Sequence, residues 1–371
     1  MTRIAFYAPL KPPDHPVPSG DRETARLFLA ALRGAGFKTG IASTLRTADP
    51  VGGQDFSGQA QAEVDRLLTL YREQPRDRPA LWFTYHVYYK APDLIGPAIA
   101  RALGIPYVIA EGSRAPKRAS GAWAGGHAQA EAALDTASLI LILNPNDRTM
   151  LEAARPKGQA LIDLPPFIDT ATWPSPERSR PGAGPCRLLT VAMMREHDKL
   201  ASYDILATAL AELDADLEWQ LDIVGDGPAR AKVEALFAPF GKRVTLHGRI
   251  DDRARLAAFY AQADLLAWPA VNEAFGMVFL EAALQGCAAV AGRFGGVGSV
   301  VLDGQTGLLT RPGDTADFSG SIAKLMRDTA LRQRFSGQAL AFARQERSLA
   351  FASHRLREAL LPLMQPEKPA A

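Results

Sequence analysis

Residues 263–292 read ADLLAWPAVNEAFGMVFLEAALQGCAAVAG. The stretch opens on an apolar run, ADLLAWPA, and crosses a short loop, VNEAFG. It then takes up helical spacing in MVFLEAALQ and returns to a second apolar run, CAAVAG. Strand, loop, helix and strand in so short a span is the repeating unit of a parallel sheet. Two carboxylates punctuate it. Glu273 sits in the loop at the strand's carboxyl end, and Glu281 lies inside the apolar helix. A buried glutamate costs several kcal/mol unless something satisfies it. Glu281 therefore either escapes to solvent or holds a ligand.

The same alternation runs outward in both directions. Upstream, RLLTVAM (187–193), LEWQLDIVGDG (217–227) and KRVTLHG read as strands with helical patterns between them. Further upstream lie RIAFYAP (3–9), ALWFTY (80–85), PYVIA (106–110) and SLILIL (138–143). The segment DRETARLFLAALRGAGF (21–37) places Ala25, Phe28, Leu29 and Leu32 on one helical face. Between the two sets, PPFIDTATWPSPERSRPGAGP (165–185) is rich in proline, serine and glycine and reads as a linker. The tail, FASHRLREALLPLMQ (351–365), has helical spacing and no strand after it. A chain of 371 residues exceeds one usual core. The pattern predicts an α/β protein of two doubly wound, Rossmann-like domains, 1–172 and 173–350, facing across a cleft. Helix 351–371 should pack back toward the first.

Composition excludes several classes. The net charge is +2, from 42 basic and 40 acidic residues, and neither half has the basic excess of a nucleic-acid binder. Two distant cysteines make neither a disulfide framework nor a zinc site. The start does not read as a signal peptide, and no apolar run is long enough to span a membrane. A cytoplasmic location is the default expectation, with peripheral contact at the inner membrane face left open.

Charged and glycine-bearing turns collect where the second half's strands end. Arg195 and Lys199 follow the strand 187–193 and suit an anionic ligand, although a solvated surface pair would read the same. Gly225 and Gly227 follow the next strand, where a plain tight turn is the simpler account. The amides of Phe275, Gly276 and Met277 precede a helix start, where free N–H groups and the helix dipole attract phosphate. Glu281, about one turn further in, would reach a hydroxyl-bearing group such as ribose. Gly295 and Gly296 add another glycine-rich loop, open to the same two readings.

In order and spacing, IVGDGP, HGRI, ADLLAWPAVNEAFGMVFLEAALQGCAAVAG and GGVGSVVLDGQTGLL resemble the C-terminal half of the family-4 retaining glycosyltransferases of GT-B fold. The first half resembles them only in outline, through PSGDRETARLFLAALRGAGF and PPFID. The resemblance implies transfer of a hexosyl group from a UDP- or GDP-sugar to an acceptor hydroxyl, without a metal or other cofactor. It implies a glycan or lipid-linked acceptor in cell-surface glycan or glycolipid synthesis. By the same resemblance Arg195 and Lys199 neutralise the diphosphate, Glu273 stands by the sugar, Glu281 holds ribose, and the backbone at Arg249 and Ile250 meets the base. Gly20 would let the first domain's backbone approach the phosphates. Relatives often carry histidine where this chain has Glu111. His86 and His127 are the nearby candidates to stand in for it, His86 being preferred because it follows a strand, with Glu111, Arg114 and Lys117 on the acceptor side. A buried, hydrogen-bonded histidine is the plainer account of His86. Two rivals remain: a catalytically silent nucleotide-sugar-binding protein and an epimerase of the same fold.

Overall fold

The computed structural model describes residues 2–17, 19–176 and 184–365. The chain divides into two compact units. Unit 1 comprises Met1–Pro165 with Leu349–Ala371, and unit 2 comprises Pro166–Ser348.

Unit 1 is built from strands β1 (Arg3–Tyr7), β2 (Lys38–Ile41), β3 (Leu81–Val87), β4 (Tyr107–Gly112), β5 (Leu139–Ile142) and β6 (Ala160–Asp163). Helices α1 (Gly20–Gly34), α2 (Ser57–Glu73), α3 (Gly96–Leu103), α4 (Ala124–Thr136) and α5 (Arg148–Ala153) connect them. The strands form one parallel sheet in the order β2-β1-β3-β4-β5-β6. Inner strands covered by helices on both faces must be apolar throughout, and β4 and β5 are buried along their whole length. The helix expected over 21–37 is α1, whose Phe28 tilts against Phe83 and Tyr85 at 5.6 and 5.3 Å. Phe28 is fully buried, so Phe28→Ala would cost about 3–5 kcal/mol.

Unit 2 contains β7 (Cys186–Val191), β8 (Trp219–Val224), β9 (Val244–Gly248), β10 (Leu265–Trp268), β11 (Ala288–Gly292) and β12 (Gly307–Thr310). Its helices are α6 (Asp198–Ala211), α7 (Arg230–Phe237), α8 (Arg253–Gln262), α9 (Met277–Leu284), α10 (Thr315–Arg327) and α11 (Thr329–Gln345). Its sheet is also parallel, in the order β12-β11-β10-β7-β8-β9. The opening stretch is β10, loop, α9 and β11.

The unit boundaries fall at 165/166 and 348/349, earlier than the sequence suggested. Phe167 and Ile168 explain the first: both are buried, and the Ile168 N–H donates to Arg347 O at 2.7 Å. The start of the linker is thus folded into unit 2, beside the chain's second crossing. Residues 177–183 of the expected linker lie outside the described residues. The tail helix is α12 (Leu349–Leu360). It belongs to unit 1 and packs on α1 through Ala352, Ser353, Leu356 and Leu360. Arg357 Nη1 donates to Ala35 O at 2.9 Å.

Candidate active site

In each sheet the strand order reverses once, and a crevice opens at the carboxyl ends of the strands flanking that point. In unit 2 the reversal lies between β7 and β10. The turn after β7 carries Arg195 and leads into α6, whose second residue is Lys199. The loop after β10 carries Glu273. Two hydrogen bonds tie this loop to α6. The Val271 N–H donates to Ser202 Oγ at 3.0 Å, and Asn272 Nδ2 donates to Asp198 Oδ1 at 2.9 Å. The Lys199 ammonium touches the Glu273 carboxylate, which also accepts from Trp268 Nε1 at 3.4 Å. Lys199 Nζ lies 5.5 Å from the Trp268 ring centroid. Burial and the Arg195 guanidinium lower the Lys199 ammonium to about 8, against the pull of Asp198. Its contact with Glu273 opposes that lowering as well. Arg195 itself is exposed and, among the described residues, makes no ion pair. The site holds an excess cation, the condition for receiving an anion.

Gly276, at φ 73, caps α9. Met277 opens that helix, and the first-turn amides of a helix lack intrahelical partners. Phe275 is buried. Glu281, one turn into α9, accepts from Tyr260 Oη at 2.8 Å. Burial raises its carboxyl above the ordinary glutamate range, while Tyr260 and Arg253 pull it back. The buried helix thus tolerates Glu281 because Tyr260, from α8, meets it. Arg249 and Ile250 follow β9, two strands from β7 at the same end of the sheet. The Arg249 side chain is exposed and bonded to Asp251, whereas Ile250 is buried.

The glycine loop after β11 serves the Glu273 loop directly. A Cβ on Gly295, at φ +45, would lie 2.2 Å from the Glu273 carbonyl oxygen. The Gly296 N–H donates to Ala274 O at 2.7 Å. A Cβ on Gly225 or Gly227 would likewise strike the carbonyls of Ala192 or Met194 at 1.8 and 2.3 Å, which agrees with the tight-turn account.

In unit 1 the reversal lies between β1 and β3. Tyr85 pairs with Ala110 and Val87 with Gly112, so His86 and Glu111 stand opposite each other on adjacent strands. Both have left-handed backbones, φ 64 and φ 62. His86 Nδ1 is 3.1 Å from Asp21 Oδ1, and Nε2 is 3.9 Å from Glu111 Oε1. Burial works against the charged imidazole, but Glu111 and Asp21 outweigh it and raise His86 to about 9. At neutral pH His86 is therefore an imidazolium that donates protons in hydrogen bonds, not a base. Burial likewise raises Glu111, against the pull of His86. Its Oε2 is buried and accepts from no protein donor. Gly20 begins α1 behind the cap Ser19, and a Cβ there would meet nothing within 4 Å. Protein packing therefore does not require glycine at that position.

Arg114 is a correction. Its buried guanidinium pairs with Glu131 and Asp135 of α4 and donates to Ala154 O at 3.3 Å. It braces unit 1 and is not offered to an acceptor. Lys117 is exposed. Backbone strain marks both crevices in a way that sequence reading missed. Among the described residues, the non-glycine residues at positive φ are His86, Glu111, His197, Ala270 and Asn272. His86, His197, Ala270 and Asn272 lie at the carboxyl ends of strands flanking a reversal, and Glu111 lies at the same end of β4, the next strand along. Such residues cost about 1–3 kcal/mol each and persist where surroundings over-determine them.

Residues 185–328 match the family described as glycosyl transferases group 1. Glycogen synthase of Mycobacterium tuberculosis (strain H37Rv) is 33% identical over 172 residues, which cover 45% of this chain and 40% of that protein. The D-inositol 3-phosphate glycosyltransferase of Corynebacterium aurimucosum is 28% identical over 251 residues, 64% of this chain and 59% of that one. The chain thus matches about half the length of these relatives. Among solved structures, sucrose-phosphate synthase of Thermosynechococcus elongatus superposes with a TM-score of 0.74 at 18% identity, covering 98% of this chain and 99% of that one. HepE of Anabaena in complex with UDP gives 0.72 at 19%, covering 97% and 99%. At such identity these two establish a shared fold.

Proposed function

We propose that this chain, a member of the group 1 glycosyl transferases through residues 185–328, moves a hexosyl group from a UDP- or GDP-sugar to an acceptor hydroxyl. The observation that carries the reading is the meeting of Lys199, Arg195 and Glu273 beside the start of α9 at the unit 2 reversal. Breaking the bond from the anomeric carbon to the diphosphate leaves an electron pair, and its charge, on the departing oxygen. Fixed cations and helix-start amides aimed at that oxygen stabilise the transition state without a metal. In this reading the diphosphate displaces Glu273 from Lys199, and the freed carboxylate faces the sugar. Glu281 accepts from the ribose hydroxyls with its orientation set by Tyr260. The acceptor oxygen attacks the face that the diphosphate leaves, which retains configuration, and its proton passes to the departing phosphate oxygen.

Unit 1 would supply the acceptor side. The unpartnered Glu111 Oε2 is an acceptor awaiting a hydroxyl donor, and the His86 imidazolium beside it opposes the rise that burial imposes on its carboxyl. A role in cell-surface glycan or glycolipid synthesis on the cytoplasmic side belongs to the same proposal. Among the described residues no helix is long and apolar enough to cross a membrane.

The test is a panel of UDP- and GDP-sugars, scored first by thermal shift and then by release of nucleoside diphosphate with soluble and lipid acceptors. One donor should both stabilise the protein and turn over in the presence of chelator. Stabilisation without release would identify a silent binder. A strict need for magnesium or manganese would defeat the assignment of the diphosphate's charge to Lys199 and Arg195.

A further inference from the structure

Beyond His86, β3 runs into a turn carrying Tyr88, Tyr89 and Lys90. Trp123, immediately before α4, meets it. The Tyr89 and Trp123 rings stand edge to face with centroids 5.8 Å apart. Two cations converge on this one pair of rings. Lys90 Nζ is 5.7 Å from the Tyr89 centroid and 5.2 Å from that of Trp123. The Arg118 guanidinium carbon is 5.3 and 4.8 Å from the same two centroids.

Each ring face attracts a cation by about 0.5–2 kcal/mol, yet two cations on one pair of rings repel each other. The buried Arg114 of the same unit, by contrast, is neutralised by Glu131 and Asp135. Among the described residues neither Lys90 nor Arg118 has a carboxylate within ion-pair distance, and Arg118 Nε is buried without a hydrogen-bond partner. Asp49 joins the cluster through its backbone: its carbonyl accepts from Trp123 Nε1 at 3.2 Å, and its N–H donates to Lys90 O at 2.7 Å. Its carboxylate is occupied by the N–H groups of Val51, Gly52 and Gln54. The first turn of α4 carries no acidic residue either. The start of α4 approaches the Tyr89 backbone closely, since a Cβ on Gly126 would lie 2.3 Å from the Tyr89 carbonyl oxygen.

The cluster is not isolated from the unit 1 crevice. Tyr88 stacks on His86 at 4.7 Å and 27°, and Tyr89 meets Tyr88 edge-on at 5.4 Å. A row of rings therefore leads from the His86–Glu111 pair to the two unpaired cations. Aromatic rings are a surface on which the apolar faces of sugars lie, and the cations at its far end supply what an anionic substituent requires. We infer that Lys90 and Arg118, set on Tyr89 and Trp123, form a subsite for a phosphate or carboxylate group carried by the acceptor sugar. The inference rests on the reading of unit 1 as the acceptor side. It names the acceptor as an anionic saccharide.

The experiment reads binding alone, so it stands apart from whether the protein turns over. The full chain without donor is titrated with a hexose 6-phosphate, the uncharged hexose and inorganic phosphate, following tryptophan fluorescence and heat. A separate arm uses phosphatidylcholine vesicles with and without phosphatidylglycerol. The hexose 6-phosphate should bind at least tenfold more tightly than the uncharged hexose, with inorganic phosphate competing. Lys90→Gln and Arg118→Gln should each weaken it about tenfold or more, as expected for loss of a charged hydrogen bond. Both variants should keep the parental melting temperature and UDP or GDP affinity. If Arg118→Gln fails to fold, Lys90→Gln decides alone. Equal binding of charged and uncharged hexose, unchanged binding in the variants, or binding by anionic vesicles alone would each overturn the subsite. Failure of nucleoside diphosphate release with the sugar-phosphate result intact would overturn only the transferase reading.

Discussion

Gly295→Ala probes the link between packing and chemistry in unit 2. Two costs are built into the position. Its backbone is left-handed, φ +45, which costs a residue with a Cβ about 1–2 kcal/mol. The new methyl would also lie 2.2 Å from the Glu273 carbonyl oxygen. Non-bonded contact requires more than about 3 Å, so the loop must retreat by about 1 Å, and such overpacking costs about 1–3 kcal/mol. The sum is about 2–5 kcal/mol, or roughly 2–4 °C of melting temperature per kcal/mol for a domain of this size. Gly304 supplies the control. It has φ +70, but a Cβ there meets nothing within 4 Å, so Gly304→Ala should lose only the backbone cost and no turnover. Because the displaced segment carries Glu273, Gly295→Ala should also lose turnover on the order of 10²-fold, typical of a 1 Å misplacement. Calorimetric melting and nucleoside diphosphate release measure both effects. If Gly295→Ala and Gly304→Ala melt alike and turn over alike, the glycine loop does not hold Glu273 and the reasoning fails.

Glu273→Gln should reduce turnover by about 10²–10³-fold with a smaller loss of donor affinity, whereas Glu281→Gln should cost about 1.5–3 kcal/mol of donor affinity by calorimetry. Burial raises the Glu281 carboxyl, so parental donor affinity should fall on acidification from above the usual glutamate range. Tyr260→Phe should move that fall to higher pH, and Glu281→Gln should abolish it. Arg195→Gln, at an exposed side chain, should leave melting unchanged and weaken nucleoside diphosphate binding most at low salt. His86 is raised to about 9 by Glu111 and Asp21 against burial, above its unfolded value of about 6.5. Its contribution, on the order of 3 kcal/mol, is therefore fully present below about pH 6.5 and lost as pH rises through about 9. His86→Gln should flatten the melting profile in that window, and an unchanged profile would refute the pairing.

The two sheets were legible because their inner strands are buried on both faces and so appear as unbroken apolar runs, such as ALWFTY and PYVIA. The edge strands β2 and β6 were not, since every residue of KTGI and ALID is exposed or half-buried and carries no such signal. Glu273 stood out because a loop carboxylate before Phe-Gly is conspicuous in a single stretch. Its tether to α6 did not, because Ser202 and Asp198 lie far from Val271 and Asn272 along the chain. Tyr260 was likewise hidden, twenty-one positions from the carboxylate it meets. Left-handed backbones at His86 and Glu111 leave no trace in composition, so the paired irregularity in β3 and β4 escaped notice. Arg114 misled for a related reason: one arginine code serves both a solvent-facing cation and a buried brace.

The return of α12 to α1 has a consequence for biosynthesis. Unit 1 is assembled from segments that leave the ribosome before and after the whole of unit 2. Its sheet strands emerge first, but α1 waits with its docking face uncovered until Leu349–Leu360 has been translated. Unit 2, made from one uninterrupted segment, can complete its fold earlier. Of the two units, the one begun first is thus finished last, and a chain halted before Leu349 would expose the surface of α1 that Leu356 and Leu360 cover.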